Sequence, residues 1–129
     1  MLHPDIRKLA EGPNFAFMST LDESGAPAGH VMWVDADEAH VLINTETGRT
    51  KFRYVQKDPR VSVVILDHDD PYHYAEVRGR VVETVTGPEA REHIDRLSYK
   101  YNNQPYDDAW ISTERVILKI EPERQRTAP

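Results

Sequence analysis

The run from His40 to Ile65, HVLINTETGRTKFRYVQKDPRVSVVI, holds the residues best suited to chemistry. Five of the chain's 16 basic residues, Arg49, Lys51, Arg53, Lys57 and Arg60, crowd into twelve positions there, although the net charge of the whole chain is -6. Periodicity predicts a strand from His40 to Asn44, a Thr-Gly turn, a short helix from about Arg49 to Gln56 closed by Asp58-Pro59, and a strand from Arg60 to Leu66. Arg49 and Lys51 then sit in the first helical turn, where free N–H groups already carry partial positive charge and a carboxylate is the favourable choice. Arg49, Arg53 and Lys57 also share an i, i+4 stripe, at a cost of roughly 0.2–0.5 kcal/mol per like-charge pair. A bound phosphate or carboxylate resolves both conflicts. A solvated basic face is the commoner cause of a charge run, but so local a cluster in an acidic chain favours a ligand-sized anion. Asn44, Thr45, Gly48 and Thr50 add hydroxyls and backbone donors around the two cations.

Other chemistries find less support. The chain has no cysteine, which excludes disulfides and thiolate catalysis and agrees with a reducing, cytoplasmic setting. No Gly-x-Ser-x-Gly, P-loop or Gly-x-Gly-x-x-Gly pattern occurs. Asp67, His68, Asp69, Asp70 and His73 cluster, yet His and Asp in a connecting loop are ordinary turn chemistry, so no metal is expected. An acidic chain with one short basic patch is not a general nucleic-acid binder. No apolar run approaches the ~20 residues of a membrane span, and the N-terminus has no apolar signal core. His30 and His73 are the acid–base candidates, and no catalytic acid stands out.

These residues need elements to hold them. At 129 residues, 39% hydrophobic and 29% charged, the chain suits one domain, 1–129. A helix over residues 1–13 ends at Gly12-Pro13. Strands follow at Asn14–Thr20 and Ala28–Val34, joined by a turn at Asp22–Gly25, and with His40–Thr45 they read as a three-stranded meander. On that reading Met32, Trp33 and Val34 neighbour Val41–Thr45 and line an apolar slot that ends at the basic turn, a shape for a flat ring with a phosphate tail. Arg60–Leu66 is almost continuously apolar and reads as central and buried on both faces. Tyr72–Thr86 is a long strand with Gly79 at a bulge or bend. A helix opens at Gly87-Pro88-Glu89 with Ala90, Ile94, Leu97 and Tyr101 on its apolar stripe, and a loop with Tyr106 and Trp110 leads to a last strand, Arg115–Ile120. Residues 122–129 read as a frayed tail. Six or so strands with helices at the rim suggest a small closed or nearly closed β-barrel.

The strings MWV at Met32–Val34, INTETGRTK at Ile43–Lys51, KDPRVSVVILD at Lys57–Asp67 and DPYHYAEVRGRVVE at Asp70–Glu83 resemble the pyridoxamine-5'-phosphate-oxidase-like family, over about residues 10 to 121. Within it they are most similar to the short deazaflavin F420-dependent oxidoreductases. The resemblance implies a mainly β fold, the six-stranded FMN-binding split barrel, and a cytoplasmic homodimer with its sites in the subunit interface. It implies a cofactor phosphate held by Arg49, Thr50 and Lys51 in a turn shaped by Asn44, Thr45 and Gly48, with His30 to Val34 beside the ring. Tyr72 and Trp110 would come from the partner subunit. The expected activity is hydride transfer between reduced F420 and a small conjugated or quinone-like acceptor. An FMN-dependent oxidase or reductase, or a non-catalytic flavin- or haem-binding dimer, is the alternative.

Overall fold

Glycine and proline set most of the boundaries. The computed structural model describes residues 1–129. Helix α1 (Pro4–Glu11) has proline at its start, where the missing N–H costs nothing, and stops at Gly12. Strands β1 (Phe15–Leu21) and β2 (Pro27–Met32) are joined by a turn in which Gly25 takes φ 85° and the Asp22 carboxylate accepts from the Ser24 and Ala26 amides. A two-residue β3 (Asp35–Ala36) and β4 (Val41–Glu46) precede helix α2 (Thr50–Lys57), which ends at Asp58-Pro59. Then come β5 (Arg60–Leu66), β6 (Tyr74–Val85), helix α3 (Pro88–Asn102) and β7 (Arg115–Thr127).

All seven strands form one antiparallel sheet in the order β2-β1-β5-β6-β7-β4-β3, curled into the half-barrel of a split-barrel fold. Alternation along the strands sends one face inward. Met18, Val63, Ile65, Val77, Leu118 and Ile120 meet Val41 and Ile43 in the core, and α1 and α2 plug its ends with Ile6, Leu9, Phe52 and Val55. Burying each such side chain contributes roughly 1.5–3 kcal/mol. The β6–β7 pairing slips register after Arg78 and again after Val81. There a Cβ on Gly79 would lie 2.0 Å from the Glu121 carbonyl oxygen, so only glycine lets the strands close at this corner.

Several expectations need correction. The three-stranded meander does not form: β4 pairs with β7 along Val41–Glu46, and β2 is an edge strand bonded only to β1. The apolar run Val116–Ile120 gives β4 a longer and more buried partner than β2, which ends at Met32 and releases Trp33 and Val34 from the sheet. The sheet has seven strands because Asp35 and Ala36, read as turn, pair with Leu42 and Val41. β5 is interior to the sheet but buried on one face only. The tail is not frayed: β7 continues through Thr127, whose partner is Ala75, and its polar alternation reflects an exposed outer surface. No helix is long and apolar enough to cross a membrane.

Candidate functional site

Asn44 and Glu46 alternate with the core residues of β4, so they face outward together with Arg115, the first residue of β7 and the register partner of Glu46. Helix α3 covers part of this face and leaves a cleft of about 400 Å³ between β4, the start of α2 and the start of β7. The turn after β4 packs tightly. Gly48 donates its amide to Thr113 Oγ1 at 3.0 Å, and a Cβ at Gly48 would lie 2.7 Å from Thr113 Cγ2. That fit brings Arg49, the residue preceding α2, and Lys51, in its first turn, to the same end of the cleft as Arg115.

Two of these three cations meet one carboxylate. Glu46 is 1% exposed, and its Oε1 accepts from the Thr113 amide at 2.8 Å, the Thr113 hydroxyl at 3.0 Å and the Ser112 amide at 3.0 Å. Its Oε2 takes Arg115 Nη1 at 3.2 Å, with Arg49 more distant at 3.9 Å. Burial pushes the Glu46 carboxyl up, and these donors more than reverse it, leaving it ionised and below its ordinary range. Lys51 has no such partner. Burial lowers its ammonium, and the charges that act on it, Arg49 and Arg115, are both positive and lower it further. Burial likewise pushes the Arg115 guanidinium down, although Tyr106 and Glu46 oppose the shift.

Behind Arg115 runs a buried polar chain. Asn44 Oδ1 accepts from Arg115 Nε at 2.8 Å, so its amide nitrogen faces the Ala90 carbonyl at 3.1 Å and His93 Nδ1 at 3.0 Å. Arginine can only donate, which fixes the amide orientation and makes His93 Nδ1 an acceptor. His93 Nε2 then carries the proton and donates to Asp35 Oδ2 at 2.9 Å. Burial pushes the Asp35 carboxyl up, but the His93 hydrogen bond, the Ala36 amide and Lys100 together hold it below its ordinary value. His93 is completely buried, so Asp35, His93 and Asn44 act as a brace for the guanidinium and offer nothing to a ligand directly, Asn44 excepted.

The rest of the lining is largely aromatic. Trp33 stacks on Tyr101 with centroids 5.0 Å apart and planes 6° from parallel, and Tyr106 meets Trp33 edge-on at 6.3 Å. Trp110 meets Tyr106 edge-on at 5.2 Å, and the Arg115 guanidinium lies 5.2 Å from the Tyr106 ring centre. Tyr101 donates its hydroxyl to the Asn14 carbonyl and is pushed up to about 12 by burial, so it is a neutral structural group.

Of the residues expected at the site, Met32, Trp33, Asn44, Thr45, Arg49, Lys51 and Trp110 line this one cleft. The slot exists without strand pairing between β2 and β4: Trp33 reaches it from the segment that leaves the sheet. Val34 is corrected: its side chain is fully buried in the core and its carbonyl accepts from Lys100 Nζ, so it cannot flank a ring. Asn44, expected to shape the turn, instead uses its side chain to brace Arg115 and α3. Gly48 and Thr50 shape the helix start without lining the cleft, and His30 sits near enough to Lys51 to be lowered by it, after burial. Tyr72 is 82% exposed in the 67–73 loop, closed by an Asp67–His73 hydrogen bond of 2.8 Å, and does not reach this protomer's cleft. Arg115, Ile94, Asn102 and the placement of Tyr106 were not anticipated. The available signal was an arginine opening RVILKI, a run whose only other charged residue is Lys119.

The pyridoxamine 5'-phosphate oxidase pattern matches residues 2–128. Among solved structures, an F420 reductase is 27% identical with a TM-score of 0.82, over 97% of this chain and 98% of that one. A conserved hypothetical protein of Mycobacterium tuberculosis, 23% identical, has a TM-score of 0.74 over 99% of this chain and 84% of its own. The General Stress Protein 26 of Bacillus anthracis, 17% identical, reaches 0.68 over 95% and 90%. The last two likenesses concern the fold alone. No curated protein matches the chain.

Proposed function

This chain belongs to the pyridoxamine 5'-phosphate oxidase family, and on that premise we propose that it is an F420-dependent oxidoreductase acting on a small conjugated or quinone-like acceptor. One observation carries the reading: Lys51, Arg49 and Arg115 converge on a cleft that no carboxylate lines, and the buried Glu46 beside them is already hydrogen-bonded. Positive charge that is buried at Arg115 and half-buried at Lys51 calls for an anion, and the aromatic side chains that line the rest of the cleft suit the ring that the anion is attached to. The similarity to an F420 reductase supports the deazaflavin over other phosphorylated rings. When bound, the deazaflavin supplies the hydride chemistry.

The chain's own residues bind and orient. Arg49, Lys51 and Arg115 hold the phosphate, and Thr45 and Asn44 close the floor beneath it. Met32 and Trp33 give the ring an apolar flank, and Tyr106 and Trp110 keep water from it. Phe15, Phe17 and Val31 stand exposed together on the outer face of β1 and β2. That patch supports a homodimer, whose second copy would bring Tyr72 toward the site.

The test is a fluorescence titration of the purified protein with F420 and FMN side by side, repeated on R49A/K51A. F420 should bind more tightly than FMN, and the variant should weaken binding 10-fold or more, on the order of 1.5–3 kcal/mol for lost charged hydrogen bonds. Tighter FMN binding makes the protein an FMN-dependent enzyme, and unchanged affinity in the variant removes the anion clamp. Cofactor binding with no acceptor reduced leaves a carrier. Light scattering on the same sample should give twice the 14.9 kDa of one chain.

A further inference from the structure

Tyr106 is held through its main chain. Its amide donates to Asp95 Oδ1 at 2.9 Å, and its carbonyl accepts from Arg91 Nη2 at 2.9 Å. Arg91 and Asp95 are themselves paired at 2.9 Å one turn apart on α3, and Arg91 reaches on to Asp108 Oδ1 through Nε at 3.0 Å and Nη2 at 2.6 Å. Two ionised side chains thus grip both main-chain polar groups of a single residue, and the same guanidinium ties down the 3₁₀ turn Asp108–Trp110. Val34, beside Trp33, is likewise held by both main-chain polar groups, its amide donating to the Tyr101 hydroxyl at 3.1 Å and its carbonyl accepting from Lys100 Nζ, so α3 fastens both sides of the cleft. Neither side chain lines the cleft, yet what they hold is the Tyr106–Trp110 corner, and Trp110 remains 48% exposed at its edge.

We infer that Arg91 and Asp95 are positioning residues that set acceptor size: by clamping the Tyr106 backbone they fix the distance between the Tyr106–Trp110 corner and Trp33, and so the width of ring that enters beside the cofactor. The inference rests on the reading that the cationic end takes the cofactor phosphate. The clamp holds the Tyr106 main chain and the 108–110 turn, whereas Arg115, although its guanidinium lies 5.2 Å from the Tyr106 ring centre, is fixed by Asn44 and Glu46. Acceptor affinity therefore depends on the clamp more than cofactor affinity does. Lysine at 91 keeps the charge but loses the planar fork that reaches three partners at once. Asparagine at 95 keeps an acceptor for the Tyr106 amide, and alanine removes it.

The experiment compares wild type, R91K, D95A and D95N. Cofactor dissociation constants are measured by titration with F420 and FMN, and affinities of the loaded protein for 1,4-benzoquinone and menadione by equilibrium dialysis. Near-ultraviolet circular dichroism of the ligand-free proteins reports the Tyr106–Trp110 pair. R91K and D95A should change menadione affinity 5-fold or more and benzoquinone affinity less than 2-fold, keep cofactor constants within 3-fold, and lose aromatic ellipticity. D95N should stay close to wild type. Equal shifts for both quinones, cofactor affinity moving with them, no menadione binding by wild type, or unaltered ellipticity in R91K and D95A would each overturn the inference. If wild type binds neither cofactor, the functional reading fails first, and ellipticity still decides whether the clamp orders the corner.

Discussion

On β6 and the far half of β7, Arg78, Arg80 and Arg126 each lean on a carboxylate, Glu76 or Glu123, at 2.9 to 3.7 Å and stay wet. In the cleft, Lys51 is half-buried with only Arg49 and Arg115 acting on it. The hollow among Arg78, Arg124 and Arg126, about 590 Å³, exceeds the cleft's volume of about 400 Å³, and it holds at least as many cations. Neither size nor charge count therefore singles out a ligand site. What differs is burial: Arg78 and Arg126 share Glu76, Arg80 has Glu123, and solvent screens these and the exposed Arg124. In the cleft Arg115 and Lys51 have been drawn out of water while Glu46, the neighbouring carboxylate, is already hydrogen-bonded, which leaves an energetic place for an anion.

The contrast can be broken or sharpened by substitution. The largest effect should come from Arg115→Ala, which strands the buried Glu46 carboxylate; destabilisation of roughly 3–5 kcal/mol is expected for a broken buried pair. Urea denaturation measures it, and a loss below 1 kcal/mol would put Arg115 in the same class as the outer arginines. A smaller effect is tied to pH. Asp35 has its folded value depressed, so its contribution is fully present above the ordinary carboxylate range and disappears as pH falls through the folded value. Asp35→Asn should therefore cost stability at pH 7, with the gap to wild type closing only once pH falls below the ordinary carboxylate range and through the depressed folded value. A gap that stays constant across that window would mean that the charge is not what the brace uses. The smallest effect belongs to Arg78→Ala and Arg124→Ala, within about 0.5 kcal/mol of wild type and without change in F420 affinity. Lost affinity there would erase the distinction between the two regions.

Local features were legible in the sequence. Gly12-Pro13, Asp58-Pro59 and Gly87-Pro88 bound the helices as their backbone chemistry requires, and Gly79 marks the bend in β6. The crowding of Arg49 and Lys51 at a helix start was visible because it contradicts a rule that operates within one turn. Strand order was not legible: β4 chooses β7 across 71 residues, and nothing near Val41 announces it. The same distance hid Arg115, which joins the cations only once that pairing forms, and hid His93, whose partners Asp35 and Asn44 lie 58 and 49 residues away. The outer half of β7 looked frayed because charged residues on a solvated strand carry no apolar signature.

Gly79 carries a lesson for anyone reading mutational scans of this chain. Replacements there collide with a main-chain oxygen of β7, the strand that Arg115 opens, so a backbone shift is the expected result. A dead clone at that corner would look like a ligand-site mutant in any assay of function, although it never touches the ligand.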